Sequence, residues 1–327
     1  MKEPIYMQAT KNAWEFIKKE KVLMVFGIFA AFLGQFGIVD FLGRLGLITG
    51  NTEHYFRNIT LIGVQLGEFM IHMTSSLESK MLADFLLMLF LGLFSVFIFI
   101  AVVCQGAIIY SAKQSIQKKS INISKAWYAG TENFWRLFFI NFFKKISLTL
   151  IFMVVSLSAY AAFFIPSLEN NLFFLGIFLL ASFAGLALSF VAVYASIYVI
   201  AGKYTISEAF DAACVLFRDH LVVSFEIGIL ILVFNLFFGV FAVLGFMLFV
   251  LPAILIWFAV ILIVGSKIAL AAGFIASFMV FTMYLILLGA IFTVFTTYIW
   301  TYVFMKMNKV GIKSRIVHYL SYKPNKI

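Results

Sequence analysis

Long apolar runs alternate with short basic segments along the chain, and the run lengths predict the elements. Residues 22–42, 83–112, 146–165 and 172–201 are each predominantly apolar over at least 20 positions, the length a helix needs to cross about 30 Å of hydrocarbon at ~1.5 Å per residue. A membrane barrel would instead show alternating segments of about ten residues. The pattern therefore predicts an all-α, polytopic transmembrane helix bundle. Residues 221–305 carry only Glu226 and Lys267 as charges. They are read as a fifth span near 221–243, a membrane-embedded connection over 244–266 turning at Pro252, and a long sixth helix ending at Trp300. The alternative is eight spans, with 244–264 crossing back and a further turn near Gly289.

Charge supplies the orientation. All but Arg44, Arg57, Lys80 and Lys267 of the 24 basic residues fall in segments assigned to one side, and an excess of Lys and Arg marks the cytoplasmic side. Lys113, Lys118, Lys119, Lys125, Arg136, Lys144 and Lys145 stand against the single acid Glu132, the strongest such signal. Residues 43–82 belong outside, partly as a surface helix on Ile59, Ile62, Leu66, Phe69, Met73 and Leu77. Pro166, Glu169, Asn170 and Asn171 suit a tight outer turn between the third and fourth spans. Both termini are expected in the cytoplasm, with one integral membrane domain over 1–305 and a basic tail over 306–327. The localisation that follows is the cytoplasmic membrane.

Composition narrows the class further. The chain is 64% hydrophobic and 12% charged with a mean hydropathy of +1.08, which excludes an ordinary soluble domain. The net charge of +10 flanks apolar spans, so anionic lipid headgroups, not nucleic acid, are the expected partners. Cys104 and Cys214 fall in segments unsuited to a structural disulfide. The first apolar run reads as a retained helix, not a cleaved signal. Phenylalanine, at 42 residues, fills apolar positions that leucine would otherwise occupy, and Trp14, Trp127, Trp135 and Trp300 are placed in interfacial aromatic belts.

A short pattern recurs before the spans. Ile123-Ser124-Lys125-Ala126-Trp127-Tyr128-Ala129-Gly130 aligns without gaps with Ile206-Ser207-Glu208-Ala209-Phe210-Asp211-Ala212-Ala213, and Tyr6, Ala9, Ala13 and Ile17 form a third copy. The small and apolar positions share one helix face, so amphipathic interfacial helices preceding hairpins are expected. The implied threefold repeat covers 5–112, 122–201 and 205–305. Thr205 and Glu208 have capping-box spacing. The stretch Ser207–Arg218 (S-x-A-F-x-x-A, then an aromatic and a basic residue), and secondarily Ala126–Arg136, resembles the membrane domain found beside bacterial glycerophosphodiester phosphodiesterases and related inner-membrane families. The resemblance implies a membrane module. No soluble stretch is long enough to hold a catalytic domain.

Chemistry finds little support in the residues. His54, His72, His220 and His318 are scattered, and zinc sites require clustered ligands. The turn-spaced pair Glu68 and His72 gives two ligands where a closed site needs about four. No histidine lies in an apolar run to activate a serine. The chain is thus read as a non-enzyme with no cofactor and no metal. Gln35, Gln105, Asn141, Asn235 and Glu226 are polar or charged at membrane depth. The first four suit hydrogen bonds between helices, and Glu226 reads as an interfacial charge or a partner for Arg218. Lys118, Lys119, Lys144 and Lys145 are expected to face lipid headgroups. The function expected is a non-catalytic membrane module organising lipid or partner proteins. The alternative is a transporter or permease for an apolar or amphipathic substrate, with Gln35, Gln105, Asn235 and Glu226 along its path.

Overall fold

The computed structural model describes residues 5–33, 77–165, 167–264 and 267–310. Every regular element among them is a helix: α1 (Ile5–Lys19), α2 (Leu23–Ala31), α3 (Leu77–Ile116), α4 (Ile123–Glu132), α5 (Phe134–Phe164), α6 (Leu168–Gly202), α7 (Ile206–Asp219), α8 (Leu221–Val264) and α9 (Lys267–Val310). Within α3, α5, α6, α8 and α9 lie five segments long and apolar enough to cross a membrane, Asp84–Ile116, Phe134–Phe164, Leu168–Gly202, Leu221–Ile256 and Ala276–Asn308. The first expected span is represented by α2. Its remainder beyond residue 33, the outer segment up to residue 76 and the basic tail from residue 311 lie outside the described residues.

Two expectations about 221–305 are corrected. The chain does not turn at Pro252, which lies inside the 44-residue helix α8, nor at Gly289, which lies inside the 44-residue helix α9. Proline removes one backbone donor and crowds the carbonyl four residues back, here that of Leu248. Transmembrane helices tolerate such a residue, and no polar turn sequence flanks it. Likewise α5 begins at Phe134, ahead of the apolar run at 146, directly after Asn133, the C-cap of α4, and nothing in Arg136, Lys144 or Lys145 opposes a helix.

The chain divides into two compact units. The first is Met1–Phe36, Ala101–Ile146 and Leu186–Ile327. Its core is made by close approach of small residues. The short helices α1, α4 and α7 bury Ala9 and Ala13, Ala126 and Gly130, and Ala209 and Ala213, each pair four positions apart. Gly130 lies so close to α3 that a Cβ there would sit 2.3 Å from the Val103 carbonyl oxygen. A Cβ on Gly27 of α2 would come within 2.7 Å of the Ala290 carbonyl oxygen of α9. Aromatic rings complete the core: Phe16 packs on Tyr298 at 4.7 Å, Phe234 on Phe295 at 4.9 Å and Trp300 on Phe190 at 5.3 Å. Trp300, expected in a belt, is only 8% exposed, because α9 turns it toward Phe190 and Tyr194. Trp14, Trp127 and Trp135 remain exposed.

The second unit is Gly37–Ile100 and Ser147–Gly185. In it α5 buries Val155, Ser158, Ala159 and Ala162, a seam of three- and four-residue steps. The connection into α6 is a tight turn. Ser167 accepts the Asn170 amide at 3.1 Å as an N-cap, and the Asn170 side chain donates to the Ile165 carbonyl at 2.7 Å. Leu86, Met88, Phe90, Leu157, Phe173 and Leu180 are all exposed. Apolar surface on this scale requires an apolar solvent.

Two of the short helices are capped. Asn122 accepts the Lys125 amide at 3.1 Å, and the Thr205 amide donates to the Glu208 carboxylate at 2.9 Å in a capping box. That backbone hydrogen bond, with the Thr205 hydroxyl second, holds the exposed Glu208 carboxyl below the usual carboxylate range. A lowered folded-state value means the cap's pH-dependent contribution is complete above the unfolded carboxylate range and is lost as pH falls through the folded one. Protection of the α7 amides against hydrogen exchange, corrected for intrinsic rate, should fall over that window. Glu208→Gln keeps the acceptor and should flatten the dependence.

The glycine contact is testable directly. Gly130→Ala must displace backbone of α3, a cost of about 1–3 kcal/mol for overpacking, whereas Gly176→Ala meets nothing within 4 Å. In detergent, the melting temperature should fall for the first and hold or rise for the second. Equal values would contradict the contact.

Candidate functional site

The polar side chains of the first unit gather in three places. The most enclosed is a cavity of about 20 Å³ between α2, α3, α5, α6 and α9, lined by Ala30, Gln105, Asn141, Lys144, Ser196 and Thr293. Its volume is enough for about one water. Asn141 donates to Gln105 at 2.7 Å and to the Leu137 carbonyl at 3.0 Å, which ties α5 to α3. The Ser196 hydroxyl is used within α6, donating to the Ala192 carbonyl at 2.8 Å. Lys144 is half-buried on this cavity, whereas Lys118, Lys119 and Lys145 are exposed. The reason is helical phase, since Lys144 stands three positions after Asn141 and shares its face.

Glu226 has a partner that its sequence neighbours do not suggest. The Tyr6 hydroxyl of α1 donates to its carboxylate. Arg218, the expected partner, instead lies 3.8 Å from Asp219, with both side chains well exposed. Tyr302 donates to Gln8 at 3.4 Å, a second tie between α1 and the long helices. Asn235 is half-buried on α8, and Gln35 lies outside the described residues. The buried Tyr194 hydroxyl and Ser224 are 2.8 Å apart, a link of α6 to α8 that no sequence pattern singled out.

Two grooves border the short helices. One, about 770 Å³, lies along α4 and the ends of α3 and α6, with Tyr110, Lys113, Ser124, Lys125, Glu132 and Lys203 in its wall. The other, about 710 Å³, lies along α1 and the ends of α3 and α9, with Glu15, Lys19, Glu20, Lys118, Lys119 and Tyr298. Lys118 and Lys203 follow the ends of α3 and α6 with positive φ, 57° and 60°. At Lys118 the amide bonds to the Ser115 carbonyl and that of Lys119 to the Gln114 carbonyl, a Schellman closure in which glycine is the usual residue. Sequence reading missed Lys113 and Lys203 as groove residues, because their grouping depends on how the helix ends meet. Among the described residues no three His, Cys, Asp or Glu side chains are grouped to hold a metal ion.

The fold defines a class: an all-α, multi-pass integral membrane protein. No family model, curated protein or solved structure matches the chain.

The Tyr6–Glu226 bond should matter for where α1 sits. Tyr6→Phe removes the donor and keeps the ring. A net loss of about 1–3 kcal/mol is expected for a bond to a carboxyl group. Hydrogen exchange should then accelerate in α1 while α7 keeps its protection. Unchanged α1 exchange would show that the bond holds nothing in place.

Proposed function

We propose that this chain is a non-catalytic module of the cytoplasmic membrane, with both termini in the cytoplasm, that organises anionic lipid or partner proteins. The observation carrying the reading is the arrangement of α1, α4 and α7. Each turns its small residues inward, while Lys11, Lys18, Lys19, Lys125 and Arg218 stay exposed, as do Trp14 of α1, over which the Lys18 ammonium lies at 5.6 Å, and Trp127 of α4. Exposed cations beside amphipathic rings suit a headgroup layer, where each basic residue contributes up to about 1 kcal/mol with anionic lipid. The pairing of Gln105 with Asn141 and of Glu226 with Tyr6 gives these residues a holding role. A transport path would need larger polar space than the 20 Å³ beside Gln105.

Reconstitution into vesicles of zwitterionic lipid with and without added anionic phospholipid tests the reading. Spin-labelled anionic lipid should be enriched at the protein. Neutral replacement of Lys118, Lys119 and Lys145 should reduce that enrichment by up to about fivefold per residue, the equivalent of ~1 kcal/mol. Equal enrichment of both lipid types, unaltered by the replacements, would end the lipid part of the proposal.

A further inference from the structure

The two grooves share a construction and differ in charge. In each, a short helix lies along the ends of long helices and leaves a space of several hundred Å³, the size range of small-molecule sites. In the α1 groove Glu15 and Glu20 stand with Lys19, Lys118 and Lys119, so acids and bases largely compensate each other. The α4 groove has Lys113, Lys125 and Lys203 against Glu132 alone. Glu132 is the last residue of α4 and Lys125 is in its first turn, which separates the two by about 10 Å at ~1.5 Å per residue. Carboxylate compensation is thus absent from the Lys125 end of the groove among the described residues.

Two further features hold positive charge there. The Lys113 ammonium donates to the Ala201 carbonyl at 2.9 Å, which fixes it at the end of α6. Lys203 occupies a left-handed position, φ 60°, directly after Gly202. Glycine would take that conformation with less strain. Lys118 holds the same conformation, φ 57°, at the α1 groove, so what distinguishes Lys203 is its company of Lys113 and Lys125. Concentrated cations with hydroxyls beside them, here Tyr110 and Ser124, are the donors that a phosphate's several oxygens accept.

We propose that the α4 groove binds a phosphate-bearing anion through Lys113, Lys125 and Lys203. The ligand is the headgroup of an anionic phospholipid or a free phosphate ester, since the donors recognise the phosphate itself. The proposal deepens the lipid reading above, because it converts a diffuse preference for negative surface into one saturable site.

The test uses the full chain in nanodiscs of zwitterionic lipid, titrated separately with short-chain phosphatidic acid, glycerol phosphate and inorganic phosphate. Saturable binding of at least one is expected. Lys125→Gln combined with Lys203→Gly should weaken it at least tenfold, while the melting temperature holds or rises because the left-handed residue becomes glycine. That opposite movement of affinity and stability separates a ligand contact from a structural role. Lys19→Gln, in the α1 groove, should leave affinity within twofold. Saturation by phosphatidic acid alone identifies a lipid headgroup, and equal saturation by glycerol phosphate identifies a soluble ester; either supports the site. No saturable binding of any probe, unchanged affinity in the α4 variant, or an equal loss in the α1 variant overturns it. Anionic enrichment in vesicles without a saturable site leaves the broader reading standing, whereas a saturable site without enrichment overturns that reading and keeps the groove.

Discussion

Contact between small residues at the short helices is the constraint on which the rest of the first unit depends. Lipid offers no hydrophobic drive between helices, so their association rests on close packing and on the few polar groups they share. Ala9 and Ala13, Ala126 and Gly130, and Ala209 and Ala213 are all buried. Gly130 sits against the backbone of α3 itself. A larger side chain at any of these positions would lift its helix by the thickness of that side chain. On α1 the Tyr6 hydroxyl would then lose Glu226, and on α1 or α4 the wall of the adjoining groove would part, because that wall is a short helix on one side and the ends of long helices on the other.

Such packing also explains how the polar groups can stay inside an apolar protein. Gln105 and Asn141 satisfy one another across α3 and α5, and the Tyr194 and Ser224 hydroxyls do so across α6 and α8. An unsatisfied amide or hydroxyl at that depth costs several kcal/mol relative to water, so these pairs discriminate between correct and shifted helix registers. They add modest stability, about 0.6 kcal/mol on average for such bonds in membranes, and considerable specificity. Two groups stand outside these pairs: Lys144, whose ammonium can be hydrated by the space for about one water beside it, and Ser111, whose buried hydroxyl has no partner among the described residues.

Much of the architecture was legible in the sequence because two signals agree there. Hydropathy marks where the chain must be helical, and clusters such as Lys113 to Lys125 mark where it leaves the hydrocarbon. Where the second signal is missing, over 221–305, the first loses register: Pro252 and Gly289 suggested turns, yet both lie inside unbroken helices. A residue's local preference for a turn is weak against 44 residues of otherwise uninterrupted helical backbone bonding. The side-chain partnerships were less legible for a related reason. Glu226 meets a tyrosine 220 positions earlier, and periodicity within one helix carries no information about such a distance. Trp300 shows the same limit, because a tryptophan near a span end suits a belt and a core equally until the facing rings of Phe190 and Tyr194 are known.

The two grooves show how one packing scheme can hold different chemistry. The buried positions of α1 and α4 are interchangeable in kind, alanine or glycine four apart, and they fix the same relation between short and long helices. Exposed positions are free of that constraint. The acids match, Glu15 of α1 with Glu132 of α4, whereas Lys125 of α4, near Lys113 and Lys203, stands where α1 has Gln8. Packing tolerates this variation because a solvated side chain contributes little to helix association. Lysine, not glycine, stands at the left-handed positions of both grooves, 118 and 203, so the backbone does not distinguish them, and what differs is the company of Lys203. Its consequence is electrostatic: a cation held at the mouth of the groove whose neighbouring charges are already positive.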